Sequence, residues 1–172
     1  MAVTTQLSDQ YKLQYSSTQS ELGTVYGTEV KGMLRAEYVT HTQSGAGDAT
    51  SSVALCKLPP GRCRLILPLC YFYINWTTAS ATIDIGWDAY TQLDGTAVAA
   101  NPDGITDGLS VDTADVYGWE ELSANIGAGI TADVGYAKLF DSKEGVTIRA
   151  TSQDTAIAAA DDLAGVIVYT CA

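Results

Sequence analysis

Residues 80–90 read Ser-Ala-Thr-Ile-Asp-Ile-Gly-Trp-Asp-Ala-Tyr, and their alternation decides the fold class. Ala81, Ile83, Ile85 and Trp87 fall on one side of an extended chain, and Thr82, Asp84, Gly86 and Asp88 on the other. That period of two is a β-strand with one face on a core and an acidic face toward water. On a helix the same apolar residues would scatter around the axis and bury nothing together.

The neighbouring segments read the same way. CRLILPLCYFYINW (63–76) is the most apolar run and is expected to be the central strand, with a bulge or break at Pro68. VKGMLRAEYVTH (30–41) and SVALCKL (52–58) precede it as strands, separated by the loop QSGAGDATSS. Pro59-Pro60-Gly61 is a turn. Downstream, DVYGWEEL (115–122), DVGYAKLF (133–140), GVTIRAT (145–151) and LAGVIVYTC (163–171) read as shorter strands. TAIAAADD before the last of these is a loop or a short helical turn. Residues 91–115, which contain NPDGITDGLSVD, show no alternation and read as one long acidic loop, with a helical turn at ITDGLSV. About eight strands and hardly any helix predict an all-β, antiparallel β-sandwich.

Composition agrees. The 172 residues are 47% hydrophobic and only 17% charged, rich in Thr, Ser, Ala and Gly, and sufficient for one domain with a substantial core. Residues 1–28 are different: polar, short of aliphatics and without period. They are expected to be an extended N-terminal arm ahead of a sandwich domain at 29–172. The arm's Tyr11, Tyr15 and Tyr26 are the candidate partner-binding residues, because tyrosine gives large contact area at low entropic cost.

The formal charge is −11, and no Lys or Arg occurs between Arg64 and Lys138, whereas Asp84, Asp88, Asp94, Asp103, Asp107, Asp112, Asp115, Glu120, Glu121 and Asp133 do. Such a surface repels nucleic acid and anionic membranes. The opening MAVTTQLSDQ has no basic start or apolar run, and LILPLCYFYI (65–74) is too short to span a bilayer, so cytosolic synthesis is expected. The four cysteines, Cys56, Cys63, Cys70 and Cys171, form no metal-binding spacing and are expected to be reduced core residues. A hairpin at Pro59-Pro60 would set Cys56 opposite Cys63, the one pairing that local geometry suggests.

Chemistry is harder to find. His41, the only histidine, is read as a strand-end surface residue with no nucleophile motif around it. Asp84 and Asp88 share a strand face, with Trp87, Tyr90, Tyr117 and Trp119 nearby, but alternation already explains those positions. NPDGITDGLSVD has neither the spacing nor the flanking helices of a calcium loop. No catalytic, cofactor-binding or metal-binding residue is assigned, and an enzyme is not expected.

One resemblance emerges from the order of these pieces. LPPGRCRLILPLCYFYIN, ATIDIGWDAY with its Ile83-Asp84-Ile85-Gly86, NPDGITDGL and the terminal LAGVIVYTCA resemble small tailed-bacteriophage head proteins of the decoration or cement type, over about residues 55–172. The resemblance implies a jelly-roll-like sandwich on the outside of an icosahedral virion. It implies the major capsid protein as partner, a homo-oligomer (a trimer is favoured), and no cofactor. The competing expectation is a carbohydrate- or receptor-binding sandwich of a fibre, with Trp87 or Trp119 as an exposed platform. A calcium-dependent adhesion module and a small hydrolase rank below it.

Overall fold

Asp162–Cys171, the last strand, is the spine of the molecule. In the computed structural model, which describes residues 5–7, 34–76, 78–124, 127 and 137–171, it contacts three other strands. The elements in chain order are β1 (Thr5–Leu7), β2 (Leu34–Thr42), β3 (Ser52–Leu58), β4 (Gly61–Ile66), a 3-10 turn (Leu67–Leu69), β5 (Tyr71–Asn75) and β6 (Thr82–Trp87). There follow β7 (Tyr90–Thr91), β8 (Ala97–Val98), β9 (Asn101–Ser110), β10 (Asp115–Tyr117), helix α1 (Trp119–Ala124), β11 (Ala137–Ser142), β12 (Val146–Ser152) and β13 (Asp162–Cys171).

Two sheets form the sandwich. The first runs β1-β3-β12-β6-β9 and is antiparallel except for β1, which lies parallel to β3. In the second, β13 has β2 on one side, while β5 and β4 lie end to end along the other, flanked by β10 and β11. The break between β4 and β5 is the 3-10 turn at Pro68, where the missing N–H and fixed φ end strand pairing. Cys70 fills the gap: the Val168 N–H donates to its Sγ at 3.3 Å. The segment 63–76 is thus two flanking strands, and the centre of the sheet is the terminal strand.

The long antiparallel ribbon that gives a jelly roll is present. β2 and β3 run against β13 and β12 respectively, and the connections 43–51 and 153–161 cross from sheet to sheet side by side. Their hydrogen bonds are reciprocal: Gln43 N to Asp161 O at 2.9 Å, Ala160 N to Gln43 O at 2.8 Å, Gly47 N to Ile157 O at 2.9 Å, and Thr50 N to Ser152 O at 2.9 Å. Thr50 and Ala160, at matching places in the two crossings, both take left-handed backbone, with φ of 70° and 69°.

Between the sheets lies one continuous core. Val53, Ile83, Ile85, Trp87, Ile148 and Ala150 from the first sheet meet Leu65, Phe72, Ile74, Leu163 and Ile167 from the second, all buried. Each large aliphatic in that set contributes about 1.5–3 kcal/mol of transfer free energy.

Four expectations change. NPDGITDGLS is strand β9, not a loop, and residues 90–98 form a small β7–β8 hairpin. The alternation is hidden because β9 is bulged: its register against β6 shifts between Ile83 and Ile85 and again between Ile85 and Trp87. DVYGWEEL begins as strand β10 but turns into α1, because Glu121 accepts the Gly118 N–H at 2.9 Å in a capping-box contact. Pro59-Pro60 does not close a hairpin, since β3 and β4 belong to different sheets. The cysteines are not all reduced: Cys63 and Cys171 are disulfide-bonded, and Cys56 and Cys70 are free and buried. The pairing comes from the β13–β4 register, which sets Cys171 opposite Cys63.

No helix among the described residues is long and apolar enough to cross a membrane.

Candidate functional site

The acidic face of β6 turns out to be a piece of architecture. Asp84 is only 7% exposed. Its Oδ1 accepts the Gly108 N–H at 2.8 Å, pinning the bulge of β9 where Gly108 takes a φ of +64°. Burial pushes its carboxyl above the usual range; Gly108 pulls it down, and Asp107, Asp103 and Asp154 push it up further. Asp88 is held by Arg149 in a two-point clamp, Nε and Nη2 each 2.6 Å from a carboxylate oxygen, while Arg149 Nη1 also reaches Ser52 Oγ at 3.1 Å. The two acids therefore serve different cross-strand contacts and do not converge on a common point. Gly86 lies between them, packed so closely on the Asn101 and Pro102 backbone that a Cβ has no room. The solvated face expected of this strand is covered.

The aromatics beside the acids do not form an open groove. Trp87 is 5% exposed, edge-on to Phe140 at 5.3 Å, with Lys138 Nζ 5.2 Å from its ring centre and Gly104 packed against its six-membered ring. It is not a sugar platform. Tyr90 stacks edge-on to Phe140 at 6.0 Å. The Tyr117 hydroxyl donates to Thr113 O at 2.8 Å, and burial with Asp115, Asp112 and Glu121 raises its pKa. The Trp119 side chain lies outside the described residues. His41 faces inward, not outward, with Nε2 3.3 Å from Gln43 Oε1. Among the described residues, no group of three or more His, Cys, Asp or Glu is placed to hold a metal.

What the fold does present is the outer face of the second sheet. On β2, Leu34, Ala36, Tyr38 and Thr40 point out while Glu37, Val39 and His41 point in. On β5, Tyr71 and Tyr73 point out while Phe72 and Ile74 enter the core. The register brings these together. Val116, Tyr73, Ala164 and Thr40 form one row across four strands, and Tyr71, Val166 and Tyr38 the next. Tyr38 is 66% exposed, Tyr71 47% and Tyr73 38%. They wall a shallow groove of about 230 Å³ floored by Ala164, Gly165 and Val166. Such a contiguous apolar and aromatic face marks an interaction surface. Its sequence signal was the Tyr71-Phe72-Tyr73-Ile74 alternation, masked by reading 63–76 as the central strand.

Tyr11, Tyr15 and Tyr26 lie outside the described residues. Of the segment 1–28, only Thr5–Leu7 is described, paired with Ser52–Ala54.

Neither a family model nor a curated protein matches the sequence. The fold does match solved structures. A chain in the capsid of Ralstonia phage GP4 superposes with a TM-score of 0.62 at 12% identity, over 96% of this chain and 97% of that one. A chain of the cyanophage Pam1 capsid asymmetric unit matches with a TM-score of 0.51 at 13% identity, over 91% and 99%. At such identities the likeness is one of fold. It extends over more than nine-tenths of each chain, so both neighbours are chains of similar length with a similar architecture.

Proposed function

We propose that this chain is a structural, non-enzymatic protein of a phage virion: a decoration or cement protein that binds the outside of an icosahedral head and bridges capsid subunits. The observation that carries this is the end-to-end fold match to chains of similar length in two phage capsids. It agrees with the resemblance in LPPGRCRLIL, IDIG and NPDGITDGL, which rests on sequence and is independent of the superposition. The strong negative charge suits an outer surface away from packaged DNA.

In this reading the partner is the major capsid protein, and attachment is multivalent. The protein is a homo-oligomer whose N-terminal arms each make a modest contact through Tyr11, Tyr15 and Tyr26. Tethering in one oligomer turns those contacts into tight binding.

The test is to purify heads from an infected culture and quantify this chain against the major capsid protein. A fixed ratio, with the chain open to protease on intact heads, supports the reading. Absence from heads, or protection inside them, overturns it. For the arm, a variant with Tyr11, Tyr15 and Tyr26 changed to serine keeps β1 in place. It is expected to fold but to lose head binding; undiminished binding removes the arm from the mechanism.

A further inference from the structure

We infer that the outer face of the second sheet, centred on Tyr38, Tyr71 and Tyr73, is the contact between copies of this chain. The charge pattern singles out that occupant. With a net charge of −11, most approaches of one copy to another set acid against acid. Among the described residues, the middle of this face, from Leu34 and Ala36 through Tyr38, Tyr71 and Tyr73 to Val116, carries no charged side chain.

The two ends of the face differ in sign. At the Cys63–Cys171 end lie Arg62 and Arg64, with Asp141 3.8 Å from Arg62, which among the described residues leaves Arg64 as the excess positive charge. At the opposite end lies Asp162, paired in register with Thr42 and Asn75 and accepting the Thr42 hydroxyl at 2.7 Å. A second copy turned end for end therefore brings its Asp162 over Arg64, with tyrosine against tyrosine between. The face is self-complementary, the requirement for a symmetric contact between identical chains. Four strands abreast and ten residues of β13 give it roughly 600 Å² in projection, the scale one partner contributes to a standard interface.

This inference does not rest on the phage-head reading, and it is tested without heads, by sedimentation of the purified full-length chain at micromolar concentration. A discrete oligomer is expected. Tyr38→Asp with Tyr73→Asp should dissociate it to monomer while leaving the β-sheet circular dichroism intact, because both side chains stand in solvent in the single chain. Arg64→Glu, at an exposed position, should weaken association about 10-fold or more. Arg64→Glu combined with Asp162→Arg should restore it. A monomeric wild-type chain overturns the inference and leaves the face to a different partner, protein or sugar. An oligomer insensitive to both the tyrosine and the charge variants overturns it equally.

Discussion

Cys63 on β4 and Cys171 at the end of β13 face each other across the second sheet and close a disulfide over 108 residues of sequence. The bond fastens β13, on which three other strands pair, at its Cys171 end.

Reduction or Cys171→Ser is expected to destabilise the fold by about 2–4 kcal/mol, since the cross-link restricts a long loop of the unfolded chain. Calorimetry with and without a phosphine reductant measures it, and an unchanged melting temperature contradicts the bond's structural role. The other two thiols should not label in the native state. Cys56 is fully enclosed and pushed well up, and Cys70 is raised to about 11, in both cases chiefly by burial.

Asp84→Asn carries a pH signature. The folded carboxyl titrates above its ordinary value, first because it is buried and then because Asp107, Asp103 and Asp154 face it. Its contribution to stability is complete below the unfolded carboxylate pKa and is lost as pH rises through the folded one. Asparagine retains an oxygen for the Gly108 N–H without the buried charge. The variant should melt with the wild type near about pH 3 and above it at about pH 7. A variant less stable than wild type at neutral pH would show that the charged hydrogen bond outweighs burial.

Gly86→Ala tests the close contact of β6 with β9. A Cβ there drives into the Asn101 carbonyl and the Pro102 backbone, which cannot yield without breaking strand pairing. A loss of about 3 kcal/mol or more is expected in denaturant unfolding, by the mechanism of backbone overpacking. A loss under about 1 kcal/mol would mean that β9 rearranges freely.

The sequence determined the all-β class, because alternation in residues 80–90 and in the later strands is a local property of the chain. It also located the break at Pro68, since proline acts through its own ring. It suggested the phage-head resemblance through short strings. It misread NPDGITDGLS because bulges at glycines erase the period of two, and DVYGWEEL because one capping contact at Glu121 starts a helix.

Only the tertiary structure decided the rest. Whether Tyr71 and Tyr73 or Phe72 and Ile74 face the core depends on which strand lies beside β5, and that strand is about 90 residues away in sequence. The Cys63–Cys171 pair, the burial of Asp84 and His41, and the uncharged tyrosine face all follow from the register of β13 with β2, β4 and β5, and of β6 with β9. Strand register is set by long-range packing of two sheets, and a local pattern does not encode its partner.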